Sequence, residues 1–242
     1  MTTSKIIIEE MTSLGDEGQA RHLSRFFKTG KGEYGEGDRF LGIKVPVTRS
    51  IVKCYKDKVS VSDIDVLVSS CWHEVRLAGF FLLTELYKKA IRRADILQAK
   101  NIVDYYVANI SKGNNWDLVD LVAYNILGDW VSRFPEDVYF IEELSQKEGF
   151  LWHQRVSIVS TMALIRNGSY DLTFKMAEKF INHPHDLIQK ATGWMLREVG
   201  KRGGKEQLVE FLERHKATMA RTTLRYAIER FTEEERKYFM TK

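Results

Sequence analysis

Apolar positions recur every three to four residues along almost the whole chain, and no long stretch alternates as a half-buried strand does. The spacing predicts helices over 3–13, 17–27, 47–56, 62–69, 73–89, 93–109, 116–133, 136–146, 151–166, 170–182, 186–201, 205–214, 217–231 and 233–240. Several starts carry cap chemistry: Ser62 stands ahead of Asp63 and Asp65, and Thr232 with Glu235 spells a capping box. Pro46 suits the first position of a helix. Only the segment 28–42, KTGKGEYGEGDRFLG with five glycines, is strongly punctuated. Nothing else reads as a linker, so residues 1–242 are expected to form one domain.

The 242 residues are 44% hydrophobic and 29% charged, a globular balance that excludes a disordered chain. Three prolines (Pro46, Pro135, Pro184) stand where average usage gives about 12, which again favours helix. No apolar run nears the roughly 20 residues that cross a bilayer. Residues 1–10 lack the basic flank and cleavage site of a signal peptide, so a soluble cytoplasmic protein is expected. Cys54 and Cys71 alone build neither a disulfide framework nor a four-thiolate metal site. The net charge of +4 is compatible with nucleic acid without being diagnostic of it.

Four segments superimpose: VRLAGFFLL from Val75, QRVSIVSTM from Gln154, QKATGWMLR from Gln189 and ARTTLRYAI from Ala220. Each sets a basic residue (Arg76, Arg155, Lys190, Arg221) ahead of an apolar helical run. The spacing fits a HEAT-like period of about 40 residues, with a missing member near 116. The expected fold is therefore all-α: an α-α superhelix of HEAT-like repeats whose concave face carries a basic stripe able to track a duplex backbone. The repeat near 116 offers Asp117 and Asp120 in place of a cation. A carboxylate in a basic groove repels phosphate, so it needs another reason to be there.

Three motif matches fade on inspection. The run 30–35 spells G-x-G-x-x-G but follows a helical pattern where a dinucleotide fingerprint needs a strand. His73-Glu74-Val75-Arg76-Leu77 starts like a zinc motif but has Leu77 at the second ligand position. His183-Pro184-His185 reads as a turn at a helix start. No metal or cofactor is expected. Among the five tryptophans, Trp72 and Trp130 are expected in the core. Trp116 shares a helix face with Asp120, Trp194 with Lys190 and Arg197, and Trp152 with Arg155, a grouping that suits a binding wall.

The segments FLGIKVPVTR (from Phe40), NNWDLVDLVAYNILGDW (from Asn114), LWHQRVSIV (from Leu151) and LIQKATGWMLREVGKR (from Leu187) resemble the HEAT-like DNA alkylation-repair glycosylases of the AlkD type. The resemblance runs from about 17 to 232. It implies excision of N3- and N7-alkylated purines from double-stranded DNA, with Asp120, Trp116, Trp194 and Arg155 at the reacting nucleotide. Arg197, Lys190, Arg76 and Arg221 are then DNA-binding residues. Departures fall at Asn115 and His22, where some members carry an aromatic residue. No obligate protein partner and no membrane are implied, and a monomer is expected. The competing reading is a non-catalytic HEAT-like module that binds DNA or a protein through the same face.

The implied chemistry suits these residue types. An N3- or N7-alkylated purine is already cationic and leaves without a general acid. The transition state places positive charge on the sugar, which one carboxylate stabilises and two indole faces tolerate.

Overall fold

A computed structural model describes residues 2–241. The chain is all-helical, with no strand among the described residues beyond an isolated Arg39–Trp72 bridge. No helix in that range is long and apolar enough to cross a membrane. Residues up to Leu118 form one compact unit and residues from Val119 a second.

The first unit holds α1 (Thr3–Ser13), α2 (Glu17–Phe26), α3 (Val45–Tyr55), α4 (Val61–Val68), α5 (His73–Arg92), α6 (Ile96–Ala108) and the start of α7 (Trp116–Asp120). Helix α5 is its axis and packs on α3, α4 and α6. Fourteen of its 20 residues are buried, so it is enclosed on nearly every side. The capping box of α4 lies at Ser60 and Asp63, two residues before the expected Ser62. The box needs its two partners three apart, and Ser60 accepts from the Asp63 N–H at 3.2 Å while Asp63 accepts the Ser60 N–H at 3.0 Å. Asp63 also accepts the Ser4 N–H at 2.9 Å, which ties α1 to α4. Helix α6 starts three residues later than its pattern suggests. Ala94 takes a left-handed φ of 56°, and Asp95 caps the Gln98 N–H at 3.0 Å.

The second unit holds α8 (Leu127–Arg133), α9 (Tyr139–Gln146), α10 (Leu151–Ser160), α11 (Met162–Arg166), α12 (Asp171–Phe180), α13 (Asp186–Lys201), α14 (Lys205–His215), α15 (Arg221–Ala227) and α16 (Glu233–Met240). Successive helices pair, α9 with α10 and α12 with α13, as a helical repeat requires. Helix α13 packs on α10, α12, α14 and α15. A Cβ on Gly193 would meet the Thr223 carbonyl oxygen at 2.5 Å, so glycine is what lets α15 lie this close. Leu196, Leu208, Phe211, Leu224 and Phe239 gather beneath in an apolar core. The Thr232–Glu235 capping box forms as expected.

The continuous helix expected over 116–133 is interrupted. Helix α7 ends at Asp120, a 3-10 turn follows at Ala123–Asn125, and α8 begins at Leu127. Val122, Ala123, Ile126 and Leu127 are all fully buried, and sinking these two apolar pairs overrides the local helical preference. A Cβ on Gly128 would meet the Ser160 carbonyl oxygen at 2.2 Å, so α8 enters against α10 only through a glycine.

Candidate active site

In the second unit the fold brings together Asp120, at the end of α7, and Arg155, midway along α10. Arg155 donates from Nε to Asp120 Oδ1 at 2.9 Å and from Nη2 to Oδ2 at 2.8 Å. The two parallel bonds form a planar fork that fixes the direction of the carboxylate. The Nη1 group donates to the Leu187 carbonyl oxygen in the first turn of α13. All three guanidinium nitrogens thus face protein acceptors, and the Arg155 side chain is buried. The Asp120 side chain stays 15% exposed, so the carboxylate has an open edge.

The start of α13 is built to receive that bond. His185 Nδ1 caps the Leu187 N–H at 3.1 Å, and His183 Nδ1 accepts from the His185 N–H at 3.1 Å. His183 Nε2 therefore carries the proton shared with Gln154 Oε1 at 3.1 Å, which links the turn to the neighbour of Arg155. Burial pushes both imidazoles below their ordinary pKa. The 183–185 segment is the helix-start turn that its sequence suggests.

The other expected residues of this unit sit as follows. Trp194 is half-buried on α13. Lys190 pairs with Asp186 one turn back at 2.8 Å. Arg197 pairs with Glu229 and, at 3.7 Å, with Glu198. Arg221 is exposed and donates to the Met240 carbonyl oxygen at 2.6 Å. Trp152 is half-buried, and Trp130 is buried with its indole N–H on Asp137 at 2.6 Å.

The first unit corrects one member of the basic stripe. Arg76 is buried: Nη2 donates to Asp38 at 2.6 Å and to Asn114 at 2.8 Å, and Nη1 to the Ser70 carbonyl oxygen at 3.0 Å. Its position in the repeat is as expected, but its charge is spent inside the fold rather than offered to phosphate. Trp72 is also corrected. It is half-buried, with the Arg39 guanidinium 4.4 Å above its ring, not a core residue.

Beside Arg76 lies a network that the sequence pattern did not reveal. His73 contacts Asp38 through Nδ1 and Asp117 through Nε2, both at 2.8 Å. Its ring packs against Phe40 (4.5 Å) and Phe27 (5.1 Å), which also stack on each other at 5.2 Å. Burial opposes the charged form, but the two carboxylate hydrogen bonds outweigh it and raise the His73 pKa to about 9. This accounts for Asp117, one of the two acids that break the basic repeat. Asp38 and His73 are 35 residues apart, and only the acid where a cation was expected hinted at them.

Phe27 continues the stack to Trp116 at 5.2 Å, and the exposed Phe26 meets the same indole edge-on at 5.9 Å. An aromatic residue left exposed at the end of α2 was the signal that could have found this pair. Asn115, a departure from the family pattern, is fully buried and bonds the Phe27 carbonyl oxygen at 3.4 Å. His22, the other departure, is exposed on α2.

The glycine-rich segment is a structural loop. Glu33 and Glu36 accept the Gly30 and Gly32 N–H groups at 2.9 and 2.8 Å, where a bound phosphate would compete. Glu74 is buried and accepts the N–H groups of Leu41 (2.9 Å), Gly42 (2.9 Å) and Ile43 (3.1 Å), so the residue after His73 clamps the end of the loop. No group of three or more His, Cys, Asp or Glu among the described residues is placed to hold a metal.

The family model for DNA alkylation repair enzymes matches residues 7–231. A solved structure described as a predicted DNA alkylation repair enzyme from Enterococcus faecalis aligns with a TM-score of 0.69 at 17% identity. The alignment covers 90% of this chain and 97% of that one. At that identity the likeness is one of fold. A search of curated proteins finds no match.

Proposed function

The chain belongs to the DNA alkylation repair enzyme family, and on that premise we propose that it is a monofunctional DNA glycosylase that hydrolyses the N-glycosidic bond of N3- and N7-alkylated purines in duplex DNA. The observation that carries the proposal is the Asp120–Arg155 fork: a carboxylate paired with a guanidinium, fixed in direction and partly open.

A cationic purine departs as a neutral base, so the reaction asks for no general acid. What must be stabilised is the positive charge growing on the sugar. A carboxylate about 4 Å from that charge supplies on the order of 4 kcal/mol at an effective dielectric near 20. The same oxygens orient the attacking water. Arg155 keeps Asp120 aimed, which makes it a positioning residue rather than a phosphate contact. The Trp194 indole keeps the role the resemblance assigns it, packing the sugar with a face that tolerates a cation. Arg197, Lys190 and Arg221 stay accessible for phosphate. No amine nucleophile is involved, so the product is an abasic site in an unbroken strand.

Chromatography of bases released from methylated duplex DNA tests the reading. Release of 7-methylguanine or 3-methyladenine, undiminished by EDTA and without strand nicking, is the expected result. No release from a protein that binds the duplex would make it a binding module. Equal activity on uncharged lesions such as uracil would remove the leaving-group argument.

A further inference from the structure

The basic residues on α13 do not stop at Arg197. Lys190, Trp194, Arg197 and Lys201 fall at i, i+4, i+7 and i+11, so they share one face of the helix. At its C-terminal end that face runs into a cavity of about 300 Å³ that the proposed chemistry does not use. Arg197 and Lys201 of α13, Lys205 at the start of α14, and Arg230 beyond α15 stand around it, and the buried Leu208 and Phe231 line it.

Two of these cations are balanced: Arg197 by Glu229, and Lys205 by Glu235 at 2.6 Å. Lys201 and Arg230 are exposed and meet no carboxylate within 4 Å among the described residues. Cations gathered at helix C-termini complement the helix dipole, which accounts for one charge at each end. It does not account for four around a single apolar-floored hollow.

We propose that this cavity is a sugar-phosphate site, in which Lys201 and Arg230 hold one backbone phosphate of the DNA strand and its deoxyribose rests on the exposed edge of Phe231, which Leu208 supports from beneath. The chemistry distinguishes this ligand from a free anion. A phosphodiester brings an apolar sugar with its charge, whereas inorganic phosphate leaves the apolar floor unused. The inference rests on the DNA-binding part of the reading above and extends it by one contact. Lys201 lies seven residues beyond Trp194, about 10 Å along the helix. At 3.4 Å per nucleotide, the held phosphate is about three steps from the sugar at Trp194.

The test uses the full chain with Lys201→Gln and Arg230→Gln together, both on the surface. Dissociation constants for a methylated and an unmethylated short duplex are measured across a salt series, with thermal melting as a control. Loss of one phosphate contact lowers the slope of log K against log salt by about 0.9, for both duplexes and with unchanged melting. A neutral methylphosphonate placed three nucleotides from the lesion weakens wild-type binding and leaves the double variant unmoved. An unchanged salt slope, or a methylphosphonate that weakens both proteins equally, overturns the site while the glycosylase reading stands. A lowered slope in a protein that releases no base supports the site and removes the glycosylase. A wild-type chain that binds no duplex removes both.

Discussion

Raising the pH should unclasp the buried His73 bridge. Its imidazole contacts Asp38 and Asp117 at 2.8 Å on either side and has almost no exposure to solvent. The unfolded imidazole titrates at its ordinary 6.5 and the folded one at about 9. A base whose folded pKa lies above its unfolded value stabilises the fold fully below pH 6.5. It loses that contribution as pH climbs through 9. The separation of 2.5 units corresponds to about 3 kcal/mol. Asp38 is held below its usual range by the same bridge, working with Arg76 against burial, so the pair counts once. Urea denaturation in steps from pH 6 to 10 should show stability falling by about that amount, steepest between the two pKa values of 6.5 and about 9 and levelling off above them. The His73 ring shifts in an NMR titration should move with a midpoint near 9. A ring that titrates near 6.5, or stability flat over that range, would refute the charged bridge.

Other outcomes follow from single contacts. Arg155→Lys keeps the charge and loses the fork, so base release in a single turnover should fall about 10- to 100-fold while DNA affinity changes little. A loss confined to affinity would return Arg155 to phosphate binding. Glu74→Gln removes the charge that three backbone N–H groups share, and chemical denaturation should show a loss of about 1–3 kcal/mol with unchanged slope. Stability equal to wild type would mean the loop does not need the clamp. Arg76→Met leaves Asp38 short of a buried partner and should cost about 3–5 kcal/mol with the salt slope of DNA binding unaltered. Arg197→Ala should do the reverse, lowering that slope by about 1 at nearly constant stability. Matching behaviour in the two variants would undo the separation of buried from accessible cations.

Much of this was legible from spacing. Period 3.6 located most helices, because each buries one stripe on a neighbour. The sequence pattern Thr232-x-x-Glu235 is itself the capping box, so that helix start needed no tertiary information. Reading failed where distant contacts outweigh local preference. The break after Asp120 depends on burying Val122, Ala123 and Ile126 against elements far along the chain. Arg76 stands ahead of an apolar run just as Lys190 and Arg221 do in sequence, and distant acceptors, Asp38 and Asn114, each 38 residues away, draw it inward. The pairing of Asp120 with Arg155 spans 35 residues, yet both residues could be named from motifs. What the motifs did not give is that the guanidinium fork faces the carboxylate and the Leu187 carbonyl rather than solvent.

The central claim is that the charge of Asp120, aimed by Arg155, lowers the barrier to base loss. Single-turnover release of 7-methylguanine by Asp120→Asn, compared with wild type at saturating enzyme, tests it most directly. The amide keeps the shape of the side chain and removes the charge facing the sugar. The account predicts a folded variant that binds methylated duplex as tightly as wild type or more so, and releases base about 10²- to 10³-fold more slowly. A variant that loses thermal stability while its folded fraction releases base at the wild-type rate would contradict it.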